Sequence, residues 1–227
     1  MIHLKTQKNK EKKEKNPLVK KAVVFSVIIL LVMVLIAFAL IFLFKGDDKK
    51  TETVEKKTLS TLEKYGYTLD DMDTELYKTE FNILKTNLES EKVDFEAYAK
   101  SIAKLFTIDL FTMDNKINKY DVGGKEFIYP ANVDNYSLKV EDTIYNNLED
   151  NSKGTRKQSL PVVKSVDVSI KTGTFEYKPD SDKSINKKYD AYIAKVSIEY
   201  EKKLDYPSSI ELTIIKEDDK LYVANIK

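Results

Sequence analysis

Residues 22–44, "AVVFSVIILLVMVLIAFALIFLF", run for 23 positions without a charge. At ~1.5 Å per residue, a helix of that length covers the ~30 Å hydrocarbon thickness of a bilayer. A buried core helix would show polar punctuation on at least one face, and this run shows none. A cleavable signal peptide would end at a small-residue site followed by polar chain. The only such site, Ala37-Phe38-Ala39, is followed by five more hydrophobic residues. A lipid-modified anchor is excluded, because the chain has no cysteine to acylate. The run reads as an uncleaved signal anchor, a single transmembrane helix.

The flanking charges set its expected orientation. Gln7 to Lys21 carries seven lysines, and the equal stretch from Lys45 to Leu59 carries five, a bias of the positive-inside sign. The 1–21 tail holds eight lysines against Glu11 and Glu14, so exporting it would oppose the membrane potential. The remainder therefore belongs outside the membrane. It holds 30 of the 38 basic and 35 of the 37 acidic residues, a net charge of −5.

An acidic outer domain whose one arginine is Arg156 lacks the concentrated Lys and Arg that nucleic-acid binding needs. The absence of cysteine removes disulfides and thiolate metal sites. The sole histidine, His3, lies in the tail. An outer domain with neither Cys nor His excludes Ser-His-Asp triads, Cys-His dyads and nearly all zinc or copper sites. No catalytic, cofactor-binding or metal-binding residue is nominated, and the expected partners are the lipid bilayer, other copies of the chain and other envelope or channel proteins.

Residues 45–60, "KGDDKKTETVEKKTLS", are charged and nearly free of apolar side chains, which reads as a stalk. Residues 61–227 are then one domain of ordinary size. Its first half has helical period. After the turn "YGYTLDDMD", Tyr77, Phe81, Leu84 and Leu88 form one stripe. Asp70, Asp71 and Asp73 read as caps of that helix rather than as an acid cluster. A second helix is expected from about Val93 to Phe111 and a third near Ser137 to Leu148. The second half alternates: Val166, Val168 and Ile170, then Tyr192, Ala194, Val196, Ile198 and Tyr200, then Ile210, Leu212 and Ile214, with a last strand from Leu221 to Ile226. Such alternation predicts an antiparallel sheet with one covered and one wet face. The expected class is α+β: about three helices packed on a curved antiparallel sheet of four or more strands, in a cup-like arrangement.

Three short patterns invite chemistry. Ser101-Ile102-Ala103-Lys104, Lys171-Thr172-Gly173 and Ser184-Ile185-Asn186 match the S-x-x-K, K-T-G and S-x-N motifs of penicillin-binding proteins. The last two stand in reverse order, the domain is too small for a transpeptidase, and Ser101 falls in mid-helix. Lys171 to Gly173 reads instead as a β-turn that needs glycine. The loop "MDNKINKYDVGGKEFIYP", residues 113–130, resembles a calcium loop only superficially. Counting Asp114 as position one of an EF-hand puts Lys116, Asn118, Lys119 and Lys125 at the positions that call for Asp/Asn, Asp/Asn, Gly and Glu. Gly123-Gly124 is better read as a tight reversal, and neither glycine lies in a nucleotide-binding fingerprint. The rim near these glycines and the exposed strand faces are the candidate contact surfaces.

At the end of the second helix, "AKLFTIDLFTMDNK" resembles TcpC-type conjugative-transfer proteins, as does the order of helices followed by a long antiparallel meander. The resemblance implies a short cytoplasmic tail, one span and an outer domain of the nuclear transport factor 2-like cup fold, related to the inner-membrane scaffold subunits of type IV secretion channels. Those proteins usually carry two cups, and this chain has room for one. The resemblance brings no catalytic residue and implies a scaffold rather than an enzyme.

Overall fold

The computed structural model describes residues 30, 32–36, 53–178 and 186–227. The 1–21 tail, most of the 22–44 run and the first half of the 45–60 stalk lie outside them. Residues 30 and 32–36 are helical, and their apolar side chains are all exposed. No helix among the described residues is long and apolar enough to cross a membrane.

The folded unit spans Glu52–Lys227 and is α+β. It opens with a hairpin, β1 (Thr58–Leu62) and β2 (Tyr67–Asp70), paired antiparallel. This corrects the stalk reading of 45–60, because Thr58 to Ser60 are strand. Val54 is also tied to the domain, donating its N–H to Ser152 O at 2.7 Å. Gly66 turns the hairpin at φ 68. The turn delivers Tyr65 and Tyr67 to the core, where the Tyr67 hydroxyl meets the Tyr98 hydroxyl at 2.7 Å and donates to Leu221 O at 3.1 Å.

Helix α1 (Glu75–Leu88) follows, capped by Thr74, whose hydroxyl accepts from Tyr77 N at 3.2 Å. The aspartates before it do not cap it. Asp73 accepts from Asp70 N, Asp70 from Met72 N and Asp71 from Lys57 N. They fasten the turn to the hairpin, while the short Thr74 hydroxyl sits one residue from the helix and reaches its free N–H. Helix α2 (Phe95–Phe111) is capped by Asp94, which accepts from Glu96 N and Ala97 N. Asn87 clasps the backbone of Asp94 from both sides, at 2.8 and 3.0 Å, and fixes the corner between the two helices.

α2 packs on α1 and on the sheet, so it is buried nearly all round. Tyr98, Ile102, Leu105 and Phe106 are fully enclosed. Truncating a side chain such as Phe106 to alanine typically costs about 3–5 kcal/mol. Helix α3 (Val133–Asp142) starts earlier and ends sooner than its apolar pattern suggests. Thr143 leaves the helical region at φ −121 and ψ −82, and Tyr145 N then reaches back to Val140 O, closing the last turn.

The sheet is a meander of β3 (Val163–Tyr177), β4 (Lys187–Tyr200), β5 (Ser209–Glu217) and β6 (Lys220–Ile226), antiparallel in the order β3-β4-β5-β6. Val166, Val196, Ile198, Leu212, Ile214 and Val223 pack towards the helices. Gly173 is not a turn: it lies within β3 opposite Ala191, because β3 runs unbroken for 15 residues. The other face is not uniformly wet either. Towards the far end of β3 and β4 it carries a second apolar cluster built on Tyr189, Ala191 and Ile215.

Candidate functional site

Among the described residues, a gathering of ionisable groups lines a polar chamber of 270 Å³. Lys56 lies on its wall before β1, Thr68 and Asp70 come from β2, Asp73 from the turn before α1 and Tyr77 from the first turn of α1. Asp109, at the end of α2, and the loop from Lys116 to Glu126 close it. The chain passes this point five times, so the chamber depends on the whole helical layer being assembled.

Lys116 is 1 % exposed and forms an ion pair with Asp109. Asp109 also accepts from Gly124 N at 2.6 Å. Burial pushes the Asp109 carboxyl up, but the Lys116 ammonium and the Gly124 N–H outweigh it and hold the group below the ordinary Asp range. Burial likewise pulls the Lys116 ammonium down, and Asp109 raises it back above its ordinary value. Asp121 accepts from Lys56 Nζ and from Ile117 N, both at 2.9 Å. Glu126 accepts from Thr68 N, from the Thr68 hydroxyl at 2.8 Å and from the Tyr77 hydroxyl at 3.2 Å. Desolvation still prevails there and lifts its carboxyl to about 7. Asp73 rises to about 6, also through burial.

These carboxylates already have protein donors. The arrangement locks the hairpin to the helices and carries two acids raised towards neutrality, Asp73 and Glu126. Among the described residues no three acidic or histidine side chains are gathered to hold a metal ion. Asp114 is exposed, and its carbonyl accepts from Arg156 Nη2 at 2.7 Å. Asn118 accepts from Tyr120 N within its own turn. Ser101 is buried in mid-helix, and Lys104 is engaged with Glu80 at 2.6 Å.

Gly123 and Gly124 are buried and form no exposed rim, which corrects their reading as a contact surface. A Cβ at Gly123 would overlap the Asp109 carbonyl. Gly124 has φ 77, and a Cβ there would lie 2.7 Å from the Phe106 ring. The close approach that lets the Gly124 N–H reach Asp109 demands this pair of glycines. Sequence reasoning missed the Asp109–Lys116 pair. One signal was present: Asp109 is a lone charge inside "LFTIDLF", where burial requires a counter-ion.

The second candidate surface is the outer face of the sheet. Tyr129 packs edge-on against Tyr177, Tyr189 and Tyr222, with ring centroids 5.1, 6.1 and 5.8 Å away. Tyr129, Phe175, Tyr177, Ile193 and Tyr222 are half-buried, leaving an aromatic patch beside Lys187 and Glu217. Comparisons with protein-family models, with curated proteins and with solved structures return no match for this chain.

Proposed function

We propose that this chain is a single-pass, membrane-anchored scaffold protein of the cell envelope, of the conjugation or secretion-channel type that its second helix resembles. Its outer domain would be the cup-like, nuclear transport factor 2-like module implied by that resemblance, and its principal partner another copy of itself. The observation that carries the reading is the half-exposed tyrosine patch on the outer sheet face. Aromatic side chains with polar tips are the residues that protein interfaces concentrate, and few folded domains leave such a cluster open without a partner. The anchor is supported by the 23-residue uncharged run and by the exposed apolar side chains of its described helical residues.

A second reading, a ligand-binding or envelope-sensing cup, has one observation in its favour. A groove of 210 Å³ lies between α3 and β6, lined by Ile128, Tyr136, Val223 and Ile226 with Asn132 and Lys139 at its mouth. That volume is below the ~300–1,000 Å³ of ordinary small-molecule sites. On α2, Ala99, Ile102 and Phe106 are fully buried in the one core cluster that the helix shares with the sheet. The scaffold reading is therefore preferred.

The test is chemical cross-linking and co-purification of the full chain from membranes. Covalent multimers, reduced when Tyr129 and Tyr222 are both changed to alanine, are expected. A strictly monomeric chain with no co-purifying partner would sink the proposal.

A further inference from the structure

The two edges of the sheet are treated differently. β6 is seven residues long and its pairing with β5 is bulged. Its free side is covered: Tyr129 N donates to Val223 O at 2.9 Å, Asn132 Nδ2 donates to Ala224 O, and Ile128 forms a parallel bridge to Val223. β3, at the other edge, runs for 15 residues, about 50 Å at ~3.3 Å per residue. Its one irregularity lies at the start, between Val163 and Ser165, and it contains no proline. Among the described residues no backbone group from Lys164 to Tyr177 is bonded on the side away from β4. Proteins that need to stay apart shorten, bulge or cover such edges; β6 is short, bulged and covered, whereas β3 beyond Ser165 is none of these.

The orientation of the free groups follows from the register. Ile198 N bonds to Ser208 O on the β5 side, so the even residues of β4 face β5 and its odd residues face β3. Ser197 pairs with Asp167, so the odd residues of β3 face β4. Val166, Val168, Ile170, Thr172 and Thr174 therefore present their N–H and C=O groups to the open edge. On the two sheet faces the same alternation places Val166, Val168 and Ile170 towards the core, and Asp167, Ser169 and Lys171 outward.

We propose that the chain dimerises by antiparallel pairing of β3 with β3 of a second copy, about a two-fold axis at Ser169, to make one continuous eight-stranded sheet. The inference rests on the self-association reading above. The side chains select that register. An axis at Asp167 or Lys171 sets like charges against each other. An axis at Val168 or Ile170 leaves Asp167 and Lys171 opposite serine or glycine; at Ile170 only Lys164 and Glu176 would face each other, and these are already paired with Glu199 and Lys178 of their own chain. An axis at Ser169 places Asp167 opposite Lys171 of the second copy, twice by symmetry. It also sets Val168 opposite Ile170, extending the half-buried margin of the core across the junction. In this register the residues with free backbone groups meet as hydrogen-bonded pairs, and the charges fall at the closer, non-hydrogen-bonded positions.

The chain has no cysteine, so single substitutions report the geometry directly. Ser169→Cys puts two thiols face to face on the axis. Ser197→Cys, on the same face but one strand inward, puts its thiols at least ~14 Å apart, three strand spacings. In the full chain in membranes, mild oxidation is expected to convert S169C to a covalent dimer at least ~10 times faster than S197C, because a disulfide needs Cβ atoms within ~4.5 Å. Asp167→Cys alone should form no disulfide, and it should cross-link when mixed with Lys171→Cys. Asp167→Lys should weaken the wild-type dimer, and D167K combined with K171D should restore it. Equal cross-linking of S169C and S197C, or no restoration by the double reversal, overturns the register. If S169C never bridges while an amine-reactive reagent still links wild-type copies, the edge proposal fails and self-association stands. If wild-type copies are never linked and nothing co-purifies, both fail.

Discussion

Replacing Lys116 with methionine tests the account of the polar chamber most directly. The substitution keeps an unbranched side chain, one atom shorter, and removes its charge. It leaves Asp109, whose side chain keeps 19 % exposure, with the Gly124 N–H and the more distant Lys56 as its favourable neighbours. Breaking one side of a buried ion pair typically costs about 3–5 kcal/mol, because the remaining charge loses its partner without recovering its hydration. For a domain of this size the loss corresponds to a fall in Tm of roughly 6–20 °C. The pH dependence gives the sharper signature. In K116M, burial would dominate at Asp109 and raise its folded pKa above the unfolded value near 3.8. A carboxyl raised in that way favours folding below its unfolded pKa, and that contribution is lost as pH rises through the folded pKa. K116M should therefore lie nearest to wild type in acid and furthest from it at neutral pH. D109N combined with K116M should recover most of the loss, since no uncompensated charge remains. The assay is thermal or urea unfolding followed by far-UV circular dichroism, from pH 4 to pH 8. A K116M chain within about 1 kcal/mol of wild type at pH 7 with a deficit independent of pH would refute the reasoning.

Gly124→Val should destabilise severely, because it combines φ 77 with overlap against Phe106, whereas Gly173→Val should be neutral or stabilising by up to about 1 kcal/mol, since a Cβ there finds Ile193 at ordinary contact distance; comparison of the two unfolding midpoints checks this. Glu126 is raised to about 7, so it favours folding below its unfolded pKa and loses that contribution as pH rises through 7. Glu126→Gln should flatten the fall in stability between pH 5 and pH 8 by about 1–2 kcal/mol, a figure discounted for the solvent that still reaches this carboxylate. Added calcium should not shift Tm, in wild type or in Asp114→Ala, because Asn118 and Asp121 are committed to their own turn and Lys116 is the counter-ion of Asp109.

The helices and the meander were legible because each presents a repeated period to one apolar surface. Tyr77, Phe81 and Leu84 align on α1, and Ala194, Val196 and Ile198 alternate on β4. The β1–β2 hairpin was not legible. Its strands are five and four residues long, polar on most positions, and are held by partners far along the chain, such as Glu126 and Leu221. Gly173 misled for a related reason: a glycine inside a long strand looks locally like a turn, and its pairing with Ala191 is what decides otherwise. Lys116 stands in the hydrophilic run "DNKINK", and only the end of α2, folded over it, makes it one of the most buried side chains.

The hairpin closes on the last strand. Tyr67 donates to Leu221 O, 154 positions later in the chain, and Lys220 Nζ donates to Tyr65 O across a similar separation. The hairpin thus waits for β6, some 154 residues further on, before its hydroxyl and ring faces are enclosed. Contacts of that span bear the greatest loop-closure entropy and form late. Enclosure of the hairpin is therefore coupled to the docking of β6: a chain in which β6 is unpaired would keep its helices' local structure yet hold Tyr65 and Tyr67 open to solvent.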